Sequence, residues 1–260
     1  MSGQRLLIAV DIGNSSISIG YFTPEELLVQ NIPTRPLLTG EEYAGLINAF
    51  IKENNIEIQG YAGIISSVVS GHTSVVLRAV ERLSEGHTAG ILTVDHKLSG
   101  LDFRIENPHL LGTDRMADAV AAFSICRRAA AVVNFGTATT ITVIDDSGSY
   151  IGGSIMAGIG LMNQALGSGT SGLAGIDIKA PGSALGTDTE GCIAAGLFIG
   201  TAGAVERIIE EIAKETGLEL EMVLTGGYCS IIGPFMRRPY RLLPRLTLEG
   251  LRMIYDKNRP

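Results

Sequence analysis

One segment of this sequence occurs twice. Val10-Asp11-Ile12-Gly13-Asn14-Ser15-Ser16-Ile17-Ser18-Ile19 returns as Val133-Asn134-Phe135-Gly136-Thr137-Ala138-Thr139-Thr140-Ile141-Thr142, 123 residues later in a chain of 260. Each copy is an apolar run, a small polar turn carrying glycine, and a run that alternates polar with apolar. Asp11 falls on Asn134, Gly13 on Gly136, Asn14 on Thr137 and Ser16 on Thr139, while Ile17 falls one place short of Ile141. One duplication near half the chain is not a solenoid. It predicts two similar α/β domains, each presenting a glycine-bearing hairpin, with the division expected at 1–114 and 115–260.

The remaining pattern agrees with alternating strands and helices. Arg5 to Val10, Leu27 to Ile32, Tyr61 to Val69 and Gly90 to Val94 read as strands in the first half. Thr39 to Asn54 reads as a helix, with Thr39 as N-cap and Glu42 at the capping-box spacing. Ser74 to Leu83 is helical, and Met116, Val120 and Phe123 mark one face of a helix that begins near Gly112. In the second half Ala129 to Val133, Ile141 to Ile144, Ile151 to Met156 and Met222 to Leu224 read as strands. Met156 to Leu166, Thr189 to Thr216 and Leu246 to Tyr255 read as helices, the second stopping at Gly217.

Two such hairpins facing each other across a cleft can hold a triphosphate. Glycine lets the backbone come close, successive N–H groups make an anion nest, and Ser15, Ser16, Thr137, Thr139 and Thr140 add hydroxyl donors. Asp11 is the carboxylate placed to hold hydrated Mg²⁺, which favours a carboxylate or two together with phosphate oxygens and water. No GxxxxGK[ST] loop is present. Either hairpin alone reads as an ordinary turn; the pair favours phosphate.

Composition excludes several classes. Net charge is −7, which offers no electrostatic reason to expect nucleic acid, and Arg237-Arg238 reads as a solvated corner. Hydrophobic residues at 45% exclude a disordered chain. Glycine numbers 33 of 260, nearly double the roughly 7% norm, with no triplet period that would suggest collagen. The three cysteines, Cys126, Cys192 and Cys229, form no CxxC pair and point to a reducing compartment, each read as a small buried hydrophobe. Gly191 to Val205 is uncharged but reads as a buried helix too short to span a bilayer, so a soluble cytoplasmic protein is expected. His72, His87, His96 and His109 show no metal-ligand spacing, and Gly167 to Gly172 reads as a flexible loop.

Five motifs in order, Asp11-Ile12-Gly13-Asn14-Ser15, Gly112-Thr113-Asp114-Arg115, Phe135-Gly136-Thr137-Ala138-Thr139-Thr140, Gly152-Gly153-Ser154-Ile155 and Thr225-Gly226-Gly227, resemble those of type III pantothenate kinases. The resemblance runs from Asp11 to Leu251. It implies an α/β fold of two ribonuclease-H-like domains, the actin-like ATPase superfold, with a cleft between them. It also implies ATP- and Mg²⁺-dependent phosphorylation of pantothenate, a monovalent cation (K⁺ or NH₄⁺), and a homodimer. By the same resemblance Asp11, Ile12, Gly13, Asn14, Ser15, Ser16, Ile17, Ser18 and Thr137 contact ATP. Ile105, Gly112, Thr113, Asp114 and Arg115 meet pantothenate, Asp114 accepts the hydroxyl proton, and Thr189 matches a contact made from the facing subunit.

Read from its own position, Asp114 lies in a first helical turn, where the dipole stabilises a carboxylate and makes it a weak base. The family usually has Asp at Asn134, assigned to the cation, Tyr at Ile105, Pro at Ala157 and Asp at Leu243. These departures leave two rivals beside the kinase: a non-catalytic ligand-binding paralogue, and a phosphate-ester hydrolase on the same scaffold.

Overall fold

The apolar run before Asp11 and the alternating run after it pair as antiparallel strands, and the whole architecture grows from that hairpin. A computed structural model describes residues 6–58, 60–83, 88–173 and 175–259. Arg5 and His87 lie outside the described residues. The first half runs β1 (Leu6–Ile12), β2 (Ser16–Phe22), β3 (Leu27–Pro33), α1 (Gly40–Glu53), β4 (Tyr61–Ser67), α2 (Ser70–Glu81), β5 (Thr88–Thr93) and α3 (Thr113–Cys126). The second runs β6 (Ala130–Phe135), β7 (Ala138–Ile144), β8 (Tyr150–Ala157), α4 (Ile159–Gly169), α5 (Thr189–Thr216), β9 (Glu221–Thr225), α6 (Cys229–Ile232), β10 (Arg241–Leu242) and α7 (Leu246–Asn258).

Both sheets have five strands and one topology. The first is ordered β3-β2-β1-β4-β5 and the second β8-β7-β6-β9-β10. In each, the first three strands of the half are antiparallel neighbours, and the next two add in parallel. The duplicated segment is therefore a duplicated sheet. Its register also corrects the alignment read from sequence. Asp11 opposes Ser18, whereas Asn134 opposes Thr140, so the second hairpin is one residue shorter. Beyond the turn Ile17 matches Thr139 and Ile19 matches Ile141, and Ser16 matches Ala138 rather than Thr139. The extra residue lies at the Asn14-Ser15 tip.

Backbone contacts divide the chain into a first unit, Met1–Leu101, Asn107–Ala121 and Thr247–Pro260, and a second, Asp102–Glu106 and Ala122–Leu246. This differs from a linear split at 114/115 in three places, the first being that residues 115–121 of α3 stay with the first unit. The closing helix α7 belongs to the first unit, where it lies directly on α3: a Cβ on Gly250 would fall 2.0 Å from the Ala117 carbonyl. Leu251 and Ile254 are buried with it. The 102–106 segment belongs to the second unit because Arg104 N donates to Tyr150 O at 2.9 Å and Tyr150 N to Asp102 O at 2.8 Å.

Local signals set several boundaries. Thr39 and Glu42 make the full capping box of α1. Asp188 caps α5 by accepting from Gly191 N at 2.7 Å, and Gly217 ends it with φ 69°, in the left-handed region. Other expectations shift: α2 begins at Ser70, a turn before Ser74, and Met156 and Ala157 finish β8 rather than start a helix. Gly167 to Gly169, expected in a loop, form the last turn of α4, where Ser168 Oγ donates to Gln164 O. At 28 residues, α5 is long and apolar enough to cross a bilayer. Half of its most apolar stretch is instead buried, with Ile193, Leu197, Phe198, Val205 and Ile209 in the core of the second unit. Only Cys229 is a buried cysteine; Cys192 is exposed.

Candidate functional site

Asp11 is the next-to-last residue of β1, and its neighbours follow from strand register. Parallel pairing sets Ser66 of β4 beside it. Ser66 Oγ donates to Asp11 Oδ1 at 2.9 Å and lies 2.9 Å from Thr113 Oγ1. Thr113 Oγ1 also accepts from Ser67 N at 3.0 Å. A hydroxyl relay thus ties the ends of β1 and β4 to the first residue of α3. The next residue of that helix is Asp114, whose Oδ1 accepts from Arg115 N at 2.8 Å. Gly112 leaves room for this carboxylate, since a Cβ there would fall 2.5 Å from Asp114 Oδ1.

Asp118 sits one turn further along the same face of α3. It is 1% exposed and accepts from Thr247 Oγ1 at 2.7 Å. Three carboxylates therefore share one region of the first unit. Their electrostatics follow. Asp11 is pushed up to about 8, first by desolvation and then by the Asp114 charge; the Ser66 hydrogen bond opposes this, and Asp118 adds a smaller upward push. Burial also raises Asp114, against hydrogen bonds from the Arg115 and Asp114 N–H groups and the Arg115 charge. Position in a helical first turn alone predicts a weak base; desolvation outweighs the dipole and makes Asp114 more basic than an open carboxylate.

The hairpin tip is open. Asn14, Ser15 and Ser16 are exposed, whereas Ile12 and Ile17 are fully buried, leaving only their backbone for a ligand. Ser18 Oγ donates to Asn31 Oδ1 at 2.9 Å and is committed to β3. In the second unit Thr137 occupies the equivalent tip, and its carbonyl accepts from Gly158 N at 3.0 Å. Asn134 pairs in register with Thr225 of β9, and Gly226 passes so close that a Cβ would lie 2.4 Å from Asn134 Oδ1. Ile105 is partly exposed and is anchored in the second unit by its neighbour Arg104, which bonds Tyr150 and pairs with Asp145 at 3.0 Å. Thr189 opens α5 and lines a cavity of about 600 Å³ with Leu166, Leu173, Thr187 and Cys192.

Asp11, Gly112, Thr113, Asp114 and Arg115 thus gather in the first unit, while Ile105, Asn134, Thr137 and Thr189 belong to the second. Ser66, Ser67 and Asp118 escape a motif reading. The signal for Ser66 is its place near the end of a second apolar strand, which becomes informative only once β4 is known to pair with β1.

The family profile of type III pantothenate kinases matches residues 7–211. A type III pantothenate kinase from Moorella thermoacetica is 33% identical over 255 residues, covering 97% of this chain and 100% of that protein. One from Dehalococcoides mccartyi is 35% identical over 254 residues, covering 97% of this chain and 96% of that protein. Among solved structures, an archaeal actin homologue superposes with a TM-score of 0.53 at 12% identity, covering 97% of this chain and all of that one. The ethanolamine utilization protein EutJ from Carboxydothermus hydrogenoformans gives 0.54 at 12% identity, over 96% of this chain and 90% of that one. These structures show an actin-like α/β fold, and the sequence matches show the lineage: the chain belongs to the type III pantothenate kinase family.

Proposed function

We propose that this protein transfers the γ-phosphoryl group of ATP to the primary hydroxyl of pantothenate, the step that opens coenzyme A synthesis. The observation that carries the reading is the relay Asp11–Ser66–Thr113, which fixes Asp114 at the start of α3 in the same unit as the phosphate-type hairpin. In this reaction the pantothenate oxygen bonds to the γ-phosphorus, the bridging oxygen leaves with ADP, and the hydroxyl proton passes to Asp114. The transition state is loose, so orientation of the hydroxyl matters more than strong basicity. The raised proton affinity of Asp114 still favours accepting that proton.

Gly112, Thr113, Arg115, Ile105 and Thr189 are assigned to pantothenate, and residues 11–18 with Thr137 to ATP, on the strength of the family resemblance. Ile12, Ile17 and Ser18 serve there through the backbone, because their side chains are otherwise engaged. Mg²⁺ fits Asp11: a desolvated carboxylate repelled by two others gains from a cation. Among the described residues no three His, Cys, Asp or Glu side chains form a metal cage, in keeping with an ion held mainly by phosphate and water. Mg²⁺ would neutralise charge on the phosphate oxygens. A monovalent cation at Asn134 would have a neutral amide oxygen where a carboxylate would bind more strongly, so K⁺ or NH₄⁺ stimulation is expected to be weak.

A homodimer is supported by the outer face of α5, where Gly196, Ile199, Gly200 and Gly203 are exposed and uncharged. Cytoplasmic placement accords with the three unpaired cysteines. An ADP-release assay with pantothenate, Mg²⁺ and mixed cations tests the central reading; the expected result is pantothenate-dependent ADP. Absence of turnover at high enzyme would overturn it in favour of a binding paralogue, and phosphate release without an acceptor in favour of a hydrolase.

A further inference from the structure

The tip of the first hairpin is held by two residues outside it. Thr34, the first residue after β3, is 1% exposed. Its backbone N–H donates to Ser15 O at 3.1 Å and its hydroxyl donates to Gly13 O at 2.7 Å. His72 Nε2 lies 2.8 Å from the Thr34 carbonyl. A carbonyl only accepts, so Nε2 carries the hydrogen and the tautomer is fixed. His72 is itself buried in the first turn of α2. It belongs to no metal-ligand pattern, and its position is explained by this bond.

In a trans peptide the C=O and the following N–H point in opposite directions. Holding the Gly13 carbonyl toward Thr34 therefore aims the Asn14 N–H away from it. Holding the Ser15 carbonyl does the same for the Ser16 N–H. The turn is closed by Gly13 N donating to Ser16 O at 2.9 Å, so the carbonyls of Gly13, Ser15 and Ser16 are all taken up inside the protein. A turn that receives an anion must present N–H groups and withdraw its carbonyls, which would repel phosphate oxygens. The Ser15 bond continues the β2–β3 ladder, as any residue but proline at this place would. The hydroxyl bond to Gly13 and the imidazole bond behind it depend on side chains and have no such general cause.

We propose that Thr34 and His72 form a brace that sets the peptide planes of the hairpin tip for the nucleotide phosphates, acting as positioning residues for ATP. The inference rests on the ATP reading of the hairpin. Two measurements on the full-length protein test it: Michaelis constants for MgATP and for pantothenate, and hydrogen exchange across residues 13–16 with and without MgATP.

Thr34→Val removes the hydroxyl at nearly constant volume. It is expected to raise the KM for MgATP by about three- to tenfold, the worth of one hydrogen bond, and to leave the KM for pantothenate nearly unchanged. Exchange at 13–16 should quicken in the nucleotide-free variant. Thr34→Ser should restore both readouts. His72→Gln, which can still donate toward the Thr34 carbonyl, should retain more of the ATP affinity than His72→Leu. Equal KM values for MgATP in wild type and Thr34→Val would overturn the brace. So would parallel rises in both Michaelis constants that Thr34→Ser fails to reverse, since that pattern marks a general loss of stability. If MgATP fails to protect residues 13–16 in the wild type, the ATP reading of the hairpin falls, and this inference with it. If MgATP at a concentration near the wild-type KM protects them equally in wild type and Thr34→Val, the brace alone falls.

Discussion

The two hairpins share a frame and differ in what secures it. Each turn is closed by its own backbone, Gly13 N to Ser16 O in the first and Gly136 N to Ala138 O in the second. Each is joined to the next strand by one equivalent bond, Thr34 N to Ser15 O and Gly158 N to Thr137 O. At that shared position the first unit has a threonine whose hydroxyl reaches back to Gly13. The second has Gly158, where a Cβ would lie 2.3 Å from the Gly136 carbonyl and 2.5 Å from that of Thr137. One hairpin is braced by a side chain, the other by direct backbone contact. The strand residues diverge in parallel: Asp11 beside Ser66 in one unit, Asn134 beside Thr225 in the other. Duplication kept the scaffold, and at this strand position only the first copy carries a carboxylate.

That asymmetry can be broken from its strong side first. Asp114→Asn removes the proposed proton acceptor of the first unit and should lower kcat by about 10²–10⁴-fold with little change in fold, as read by steady-state kinetics and circular dichroism. Retention of wild-type kcat would mean that the acid cluster does not hold the chemistry.

Asp11→Asn should abolish MgATP binding in calorimetry while making the nucleotide-free protein more stable. The sign follows from linkage. Burial pushes Asp11 up to about 8 in the folded protein from 3.8 for a free carboxyl, so between those values the native state holds the extra proton. Stability therefore falls as pH rises through that window. The gain in Tm from Asp11→Asn should grow from about pH 5 to about pH 8. A gain independent of pH would assign it to packing instead.

Gly158→Ala tests the second hairpin's manner of support. The added methyl meets backbone that has no side chain to move aside, and should cost about 1–3 kcal/mol in urea unfolding. Gly13→Ala, whose methyl would lie 3.1 Å from the Ser16 carbonyl, should cost less. The reverse order would show that the first hairpin, not the second, is the backbone-limited one. Asn134→Asp makes the two strand residues alike and is the mildest change. It should strengthen K⁺ stimulation of turnover; identical rates with and without K⁺ in both forms would separate Asn134 from any cation site.

What was legible in the sequence was mostly what neighbours along the chain decide. The Thr39–Glu42 capping box and the Gly217 stop of α5 are contacts within a few residues, and both stand as read. The repeat was legible because glycine and small polar residues are needed at each turn. Its one-residue slip was not, because only ladder register shows that the second tip is shorter. Ser66 lies 55 residues from its Asp11 partner, and Thr247 lies 129 from Asp118. No local pattern marks either pair. The closing helix was legible as a helix but not as part of the first unit, since Gly250 betrays its close contact with Ala117 only in space.

By itself the sequence determined two copies of a strand–turn–strand unit, the helix ends around them, and the motif order that marks the family. These depend on backbone propensity and on residue types at short spacing. Only the tertiary structure decided that Asp11 and Asp114 are desolvated together, that Asp118 joins them, and that Thr34 bonds to the first hairpin turn and His72 to Thr34. The physical reason is that proton affinity and peptide-plane orientation are set by what surrounds a group, and here the surroundings come from strands and helices distant along the chain.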